Sequence, residues 1–188
     1  PNEGWVYNNR GVARRDQGDL AGAVADYACA IELDPNDAMA YNNRGNALRD
    51  QGDLAGALAD YTRAIELDST YAEAYSNRGV ARKGQGDLTG AVADFTRAIE
   101  IDPSSAEAYT NRGLTRHDQS DLAGAEADFT RATDLAPGLW QAWTGRGIAL
   151  AGLGRMDEAA ASFERALALA PPSMKPQVEA TRRQSMGR

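Results

Sequence analysis

The sequence predicts an all-α protein of five tandem helical hairpins followed by a C-terminal capping helix. Three features support this fold class: a repeat of 34 residues, a turn signal in the middle of each unit, and a proline at the end of most units. The first half of each unit carries an aromatic residue and, four positions later, a glycine. These residues are Tyr7, Tyr41, Tyr75, Tyr109 and Trp143, with Gly11, Gly45, Gly79, Gly113 and Gly147.

The second half of each unit repeats as regularly as the first. It contains a large aliphatic residue, an alanine, an aromatic and a second alanine, at spacings that place them on one helical face. The members are Leu20, Leu54, Leu88, Leu122 and Met156; Ala23, Ala57, Ala91, Ala125 and Ala159; Tyr27, Tyr61, Phe95, Phe129 and Phe163; and Ala30, Ala64, Ala98, Ala132 and Ala166. Small and large side chains alternating on one face predict close packing between paired helices.

Stop signals separate the two helices of each unit. Gly18, Gly52, Gly86 and Gly154 fit left-handed helix ends, and Asp19, Asp53, Asp87 and Asp121 follow as N-caps of the next helix. Pro35, Pro103, Pro137 and Pro171 end four of the second helices, because proline has no N–H to continue the ladder. We expect one domain over 1–188, with units at about 4–37, 38–71, 72–105, 106–139 and 140–173 and a last helix at about 174–185.

The composition excludes several classes of protein. The chain has 188 residues and a net charge of −7, whereas a nucleic-acid module normally carries a basic face. One cysteine, Cys29, rules out an intrachain disulfide, and no run of 18 apolar residues predicts a membrane span. The chain starts at Pro1 without an initiator methionine, which is consistent with a removed signal peptide or a further domain, so the sequence assigns no compartment.

An arginine precedes each repeated glycine, at Arg10, Arg44, Arg78, Arg112 and Arg146. A helical wheel puts these arginines on the packed face, where a charge needs a partner. Asp26, Asp60, Asp94 and Asp128 recur beside the apolar stripe of the second helices, but the fifth unit has Ser162 there. We therefore expect Arg44, Arg78, Arg112 and Arg146 to pair with the aspartate of the preceding unit. A row of arginines that binds anions is the less favoured alternative.

The 34-residue helix-turn-helix pattern resembles the tetratricopeptide repeat over about nine-tenths of the chain. It departs from that repeat at the arginines, where the family usually has leucine. The resemblance implies a right-handed superhelical solenoid whose first helices line a concave groove that binds a peptide or a partner helix.

Asparagines repeat on the face of the first helices that the wheel leaves open. Asn9, Asn43, Asn77 and Asn111, here called the asparagine ladder, are preceded by Asn8, Asn42, Ser76 and Thr110. An asparagine side chain both donates and accepts, so it can bind a peptide backbone of any sequence, and some superhelical members of the family use such a row. The alternative is that the asparagines bond neighbouring helices and recur only because the unit is duplicated. Gly145 interrupts the row in the fifth unit.

Other residues of the open face set its expected character. Arg15, Arg49, Lys83 and His117 form a cationic row expected to meet acidic side chains, and Asp16, Asp50 and Asp118 lie beside it. The alternative is ordinary pairing of arginine with aspartate, which any solvated helix end shows. Val12, Val80, Leu114 and Ile148 provide an apolar floor that Asn46 interrupts. Some members of the family bind the terminal carboxylate of chaperones through cations and asparagines at fixed positions. This chain has Asn8, Glu73 and Asn77 where those members have cations, and Val12 where they have an asparagine; only Asn43 matches. We therefore reject this type of chaperone binding.

No catalytic or metal-binding motif is found, and we expect a non-enzymatic protein without cofactors. The one histidine, His117, occupies a slot held by arginine or lysine in other units, and a solvated or satisfied role is favoured. The D-x-x-D pieces such as Asp16 to Asp19 are assigned to capping rather than calcium binding. Cys29 is expected on the solvent side of its helix. An accidental surface thiol is the favoured interpretation, and a link between two copies on oxidation is the alternative.

The two ends of the array carry different expectations. The segment from Met174 to Arg188 suits a solvating cap, whereas Trp5 and Val6 follow no capping helix, so this end is expected to continue or to meet another copy. Trp140 has no aromatic counterpart in other units and is a candidate contact residue. The predicted function is a protein-interaction scaffold binding a peptide or partner segment, with no nucleic acid and no membrane insertion; the alternative is a module that forms homo-oligomers.

Overall fold

The computed structural model describes residues 3–187, and this part of the chain is entirely helical apart from its connections. Paired antiparallel helices follow one another as predicted, and a single helix ends the chain. The helices are α1 Gly4–Asp16, α2 Leu20–Leu33, α3 Ala38–Asp50, α4 Leu54–Leu67, α5 Ala72–Gly84, α6 Leu88–Ile101, α7 Ala106–Asp118, α8 Leu122–Leu135, α9 Trp140–Gly152, α10 Met156–Leu169 and α11 Lys175–Met186. Contacts divide them into two compact units, α1–α6 and α7–α11. The expectation of one domain over 1–188 stays a prediction.

The turn inside each hairpin uses the predicted stop signals. Gly18, Gly52, Gly86 and Gly154 have φ angles of 82°, 88°, 85° and 77°, which glycine adopts without steric cost. Ser120 takes the same position in the fourth hairpin with φ 66°. The following aspartates cap the second helices through Oδ1, which accepts from the backbone N–H three residues later at 2.9–3.0 Å; they are Asp19, Asp53, Asp87 and Asp121.

Aromatic rings of the second helices fill the centre of each hairpin against glycines of the first. Tyr27, Tyr61, Phe95, Phe129 and Phe163 are all at most 1% exposed. A Cβ placed at Gly45 would lie 2.7 Å from Cε1 of Tyr61, so only glycine lets the two helices come this close. The repeated aromatic and glycine therefore form one packing unit, which is why they recur together.

The repeated arginines bind the aspartate of their own hairpin, so the expected pairing with the preceding unit is wrong. In the first hairpin, Nε and Nη2 of Arg10 donate to Asp26 at 2.8 and 2.6 Å. The same two-bond contact joins Arg44 to Asp60, Arg78 to Asp94 and Arg112 to Asp128. The hydrogen bonds from Arg10 lower the pKa of the Asp26 carboxyl, against the opposing effect of burial.

The inter-unit pairing was predicted from Arg146, because its own hairpin has Ser162 at the position of the repeated aspartate. Its guanidinium instead bonds the hydroxyl of Thr130 at 3.0 Å and lies 3.7 Å from Glu126, both on α8. A neutral hydroxyl and a different carboxylate thus replace the missing partner. Each repeated arginine also lies over the aromatic ring three residues before it, with Cζ 5.2–5.8 Å from the ring centre.

The second unit has a core of its own that the last helix completes. Leu150 and Phe163 are fully buried there, and Val178 of α11 packs on them at 1% exposure. Most other residues of α11 are exposed, as expected for a cap. Trp140, predicted as a contact residue, is partly buried against this core, and Trp143 donates from Nε1 to the Pro137 carbonyl at 3.0 Å.

Candidate functional site

The candidate site in the first unit is the face of α1, α3 and α5 that α2, α4 and α6 do not cover, here called the open face. Val12 and Val80 are 40% and 37% exposed on it, as the predicted apolar floor requires. In the second unit, Leu114 at the equivalent position is 38% exposed. Isolated exposed aliphatic residues are common on protein surfaces, so the polar groups beside them decide the interpretation.

Paired asparagines link the first helices of successive hairpins. Nδ2 of Asn43 donates to Oδ1 of Asn8 at 3.0 Å, and Nδ2 of Asn77 donates to Oδ1 of Asn42 at 2.9 Å. One N–H of the Asn43 amide and one N–H of the Asn77 amide are therefore used inside the protein, which orients these two amide planes. The other N–H and the carbonyl oxygen of Asn43 and Asn77 are left for an outside group.

Asn8 and Asn42 occupy a different place from the one the sequence predicted. Both were expected on the open face, but Asn8 is 7% exposed and Asn42 is fully buried. Nδ2 of Asn42 lies 3.2 Å from both the Tyr71 hydroxyl and Oε1 of Glu73. Asn8 accepts a hydrogen bond from Asn43 and Asn42 accepts one from Asn77, so these two asparagines contact protein neighbours rather than solvent.

Of the ladder itself, Asn9 is exposed and Asn43, Asn77 and Asn111 are half-buried, with Asn111 in the second unit. The row is interrupted at Gly145 for a steric reason. A Cβ at Gly145 would lie 2.5 Å from Cε1 of Phe129, so the ring of the preceding hairpin occupies the space that a side chain would need. Contact between ladder residues and a peptide stays a prediction.

The predicted cationic row is already partly neutralised in the first unit. Nε of Arg15 donates to Oδ2 of Asp50 at 2.7 Å, and Nη2 of Arg49 donates to Oδ1 of the same carboxylate at 3.2 Å. One aspartate therefore bridges two arginines from successive hairpins. Lys83 is half-buried on the same row. An acidic ligand would have to compete with Asp50 for both guanidinium groups.

A hydrogen bond that the sequence reading missed explains why Asn46 interrupts the apolar floor. The Tyr61 hydroxyl donates to Oδ1 of Asn46 at 2.8 Å, and both residues are buried. Burial raises the pKa of Tyr61 to about 12. The signal was in the sequence: in the third, fourth and fifth units, an aliphatic residue replaces Asn46 and phenylalanine replaces Tyr61.

The remaining candidates from the sequence are the one cysteine and the one histidine. Cys29, expected on the solvent side, is partly buried. His117 lies with Nδ1 3.7 Å from Oδ1 of Asp118. Among residues 3–187, no cluster of three or more His, Cys, Asp or Glu side chains could hold a metal ion. No helix in that range is both long and apolar enough to span a membrane.

Sequence profiles of one repeat family cover most of the chain. The profile described as TPR repeat matches residues 11–48, 45–86 and 83–120, and the profile described as tetratricopeptide repeat matches 111–173. The chain belongs to the tetratricopeptide repeat (TPR) family. This TPR fold is typical of scaffolds for protein–protein interaction and peptide binding, and TPR proteins are generally non-enzymatic.

Solved structures agree with the TPR assignment. A crystal structure of MamA protein is 27% identical, with a TM-score of 0.78 over 94% of this chain and 95% of that chain. YrrB, described as a TPR protein with an unusual peptide-binding site, is 22% identical with a TM-score of 0.74, over 93% and 90%. The first TPR of Spaghetti (RPAP3), bound to the HSP90 peptide SRMEEVD, is 27% identical with a TM-score of 0.61, over 63% and 94%. No curated protein sequence matches the chain significantly. The solenoid fold class predicted from the sequence is thereby confirmed.

Proposed function

We propose that this TPR protein is a non-enzymatic scaffold that binds an extended peptide segment of a partner protein on the open face of its first unit. Asn9, Asn43 and Asn77 would contact the peptide backbone, with Val12 and Val80 beneath its side chains. Asn111 would play the same part in the second unit. The observation that carries the proposal is the orientation of the Asn43 and Asn77 amides by the buried asparagines behind them.

Pre-orientation matters because a free asparagine loses side-chain entropy when it binds a ligand. Here the hydrogen bonds from Asn43 to Asn8 and from Asn77 to Asn42 restrict each amide before a peptide arrives. Each amide keeps one donor and one acceptor, which match the N–H and C=O of an extended backbone. Recognition of this kind depends little on the peptide's sequence.

A peptide-bound relative supports the class of ligand but not its sequence. The 27% identical first TPR of Spaghetti binds an HSP90 peptide that ends in an acidic sequence. In this chain, Glu73 and Val12 occupy positions where that type of recognition needs a cation and an asparagine, and Asp50 already binds Arg15 and Arg49. We therefore propose a ligand held mainly by its backbone rather than by a carboxylate clamp.

A peptide library provides the test. Peptides would be selected from a random phage-displayed library against the immobilised chain, and the dissociation constant of the best peptide measured by fluorescence polarisation. The variant carrying Asn9→Ala, Asn43→Ala and Asn77→Ala should bind about tenfold or more weakly, because three oriented hydrogen-bonding groups are lost.

The control is Asn36→Ala, which removes an exposed asparagine from the loop before α3. Circular dichroism must show that both variants melt like the wild type. Equal affinity of the triple variant and the control, or a library that yields no peptide above background, would refute the proposal.

Self-association is a second candidate, favoured by the exposed face of α1. Trp5 and Val6 are 65% and 46% exposed, whereas Ala40, which is equivalent to Val6, is fully buried. Arg10 is likewise 53% exposed against 25% for Arg44. Sedimentation velocity over a wide concentration range would reveal association as a rising mass. The double variant Trp5→Ser, Val6→Ser should remain monomeric if this face carries it.

A further inference from the structure

A pocket of about 490 Å³ lies in the second unit, between the first helices and the capping helix. His117 of α7 lines it together with residues from the end of α9, the start of α10 and the last turns of α11. The other lining residues are Ile148, Ala151, Gly152, Met156, Thr181, Gln184 and Ser185. Its volume is in the range of pockets that hold small organic ligands.

The repeat itself indicates what this pocket lacks. In the first unit, Arg15 at the end of one first helix binds Asp50 at the end of the next, with Nε and Nη2 both 2.7 Å from Oδ2. The equivalent positions three repeats later are His117 and Gly152. His117 thus takes the position of Arg15, but Gly152, at the position of Asp50, has no side chain to supply a carboxylate.

The pocket walls divide into a polar and an apolar part. Ile148, Ala151 and Met156 offer aliphatic surface. Gln184 and Ser185 of α11 bring an amide and a hydroxyl that can donate, and the Thr181 hydroxyl already donates to the Gln177 carbonyl at 3.0 Å. Nδ1 of His117 faces Asp118, and Nε2 is the second ring nitrogen that can donate to a ligand. No lining residue is acidic.

We propose that the pocket lined by His117, Gln184 and Ser185 binds the carboxylate of a ligand with a short aliphatic chain. The carboxylate takes the position that an aspartate at residue 152 would fill, and the aliphatic chain lies against Ile148 and Met156. This inference does not depend on the asparagine ladder, since none of the ladder asparagines lines the pocket. A free small acid and the C-terminal carboxylate of a peptide share this chemistry.

The imidazole of His117 is a convenient probe, because it is the one histidine of the chain. Its ring proton signals would be followed by NMR while 4-methylpentanoate is added, with 4-methylpentanamide as the uncharged analogue. The second pair of ligands is acetyl-Gly-Leu with a free or an amidated C-terminus. This pair tests whether the carboxylate can come from the C-terminus of a peptide. We expect a saturable shift with one or both carboxylates and none with the amides.

Two matched variants then test the position of the carboxylate. Gly152→Asp places a carboxylate of the protein itself beside His117 and should weaken binding by about tenfold or more, since ligand and side chain compete for the same imidazole N–H. Its Cβ would come 2.8 Å from Cδ1 of Leu122, a flexible side-chain end, so its folding is checked by circular dichroism. Gly84→Asp adds the same charge at the equivalent position of the first unit and should leave binding unchanged.

If Gly152→Asp does not fold like the wild type, the double variant Gln184→Ala, Ser185→Ala is measured instead, and it should weaken binding as well. No saturable shift with either carboxylate, equal shifts with acids and amides, or full binding by folded Gly152→Asp would overturn the proposal. Loss of peptide binding by the asparagine variant would not affect this result, so the two proposals fail separately.

Discussion

Arg78 binds Asp94 of its own hairpin through two parallel hydrogen bonds, from Nε to Oδ2 at 2.9 Å and from Nη2 to Oδ1 at 2.7 Å. The side chains are only 13% and 4% exposed. A second arginine of the same helix, Arg82, reaches the same carboxylate at 2.9 Å. Each complete copy of this contact joins two residues that are 16 positions apart in sequence and lie on the two helices of one hairpin, so it stabilises the hairpin. Nη1 of Arg78 also donates to the Thr62 hydroxyl of the preceding hairpin at 3.3 Å.

Replacing Asp94 with asparagine should cost about 3 kcal/mol of unfolding free energy, because a buried guanidinium loses its charged partner. Asp26→Asn should cost about 1 kcal/mol, since Arg10 is 53% exposed and water can solvate it. Urea unfolding of both variants would compare the two losses. Equal losses would show that burial of the arginine does not set the strength of the contact.

Tyr61→Phe should destabilise the protein by about 1–3 kcal/mol, because buried Asn46 then has no hydrogen-bond donor for Oδ1. Adding Asn46→Val should restore most of the loss, since the third hairpin carries valine and phenylalanine at these two positions. A double-mutant cycle on thermal or urea unfolding measures the coupling. Additive losses from the two single variants would contradict this interpretation.

Stability should fall as the pH rises from 10 towards 12, because Tyr61 keeps its proton in the folded state up to a pKa of about 12. In the unfolded chain the hydroxyl titrates near its ordinary value of 10, so the unfolded state loses protons first and is favoured. Tyr71, with a pKa also raised to about 12, adds to the effect. Between pH 10 and pH 12, the urea unfolding midpoint of the Asn46→Val, Tyr61→Phe variant should fall less than that of the wild type. An equal fall in both proteins would show that groups other than Tyr61 cause the loss of stability.

Gly145→Ala should destabilise the second unit by about 1–3 kcal/mol, because the added Cβ would overlap the ring of Phe129. Gly138→Ala is the matched control, since a Cβ there meets nothing within 4 Å, and it should change stability by less than about 0.5 kcal/mol. Differential scanning calorimetry compares the two. If Gly145→Ala leaves the stability unchanged, the interruption of the asparagine row at Gly145 has no steric cause.

Asp50→Asn should release Arg15 and Arg49 for acidic ligands. With a library-selected peptide made in glutamate and glutamine forms, the wild type should bind the two forms about equally. The variant should prefer the glutamate form by about fivefold at low salt, and the preference should fade as salt rises. Fluorescence polarisation measures both affinities, and an unchanged ratio would place the peptide away from these arginines.

Much of the fold could be predicted from sequence because its determinants are local. Gly18 with its positive φ and Asp19 as an N-cap act over a few residues, and the pairing of Gly11 with Tyr27 repeats at a constant spacing in every unit. Such signals need no knowledge of which helices are neighbours in space. The capping helix α11 followed from the same reasoning, since its polar sequence suits a surface exposed on one side.

The candidate site was harder to predict because it depends on contacts between helices. A helical wheel placed Asn8 and Asn9 on the same open side, yet Asn8 turns towards the next first helix and is buried. The wheel describes one helix in isolation and does not include the neighbour that covers part of its face. The contacts of Asp50 with Arg15 and Arg49 depend on neighbouring helices in the same way, because they join two successive hairpins.

The sequence by itself determined the repeat, the ends of the helices, the residues that pack in each hairpin and the absence of a disulfide, because periodicity, caps and a single cysteine are properties of the chain. Only the tertiary structure decided that Arg78 pairs with Asp94 and that Asn42 supports Asn77. It also decided that a pocket lies beside His117. These features arise where side chains from different helices meet, and their geometry depends on the packing angles and distances that repeat spacing leaves open.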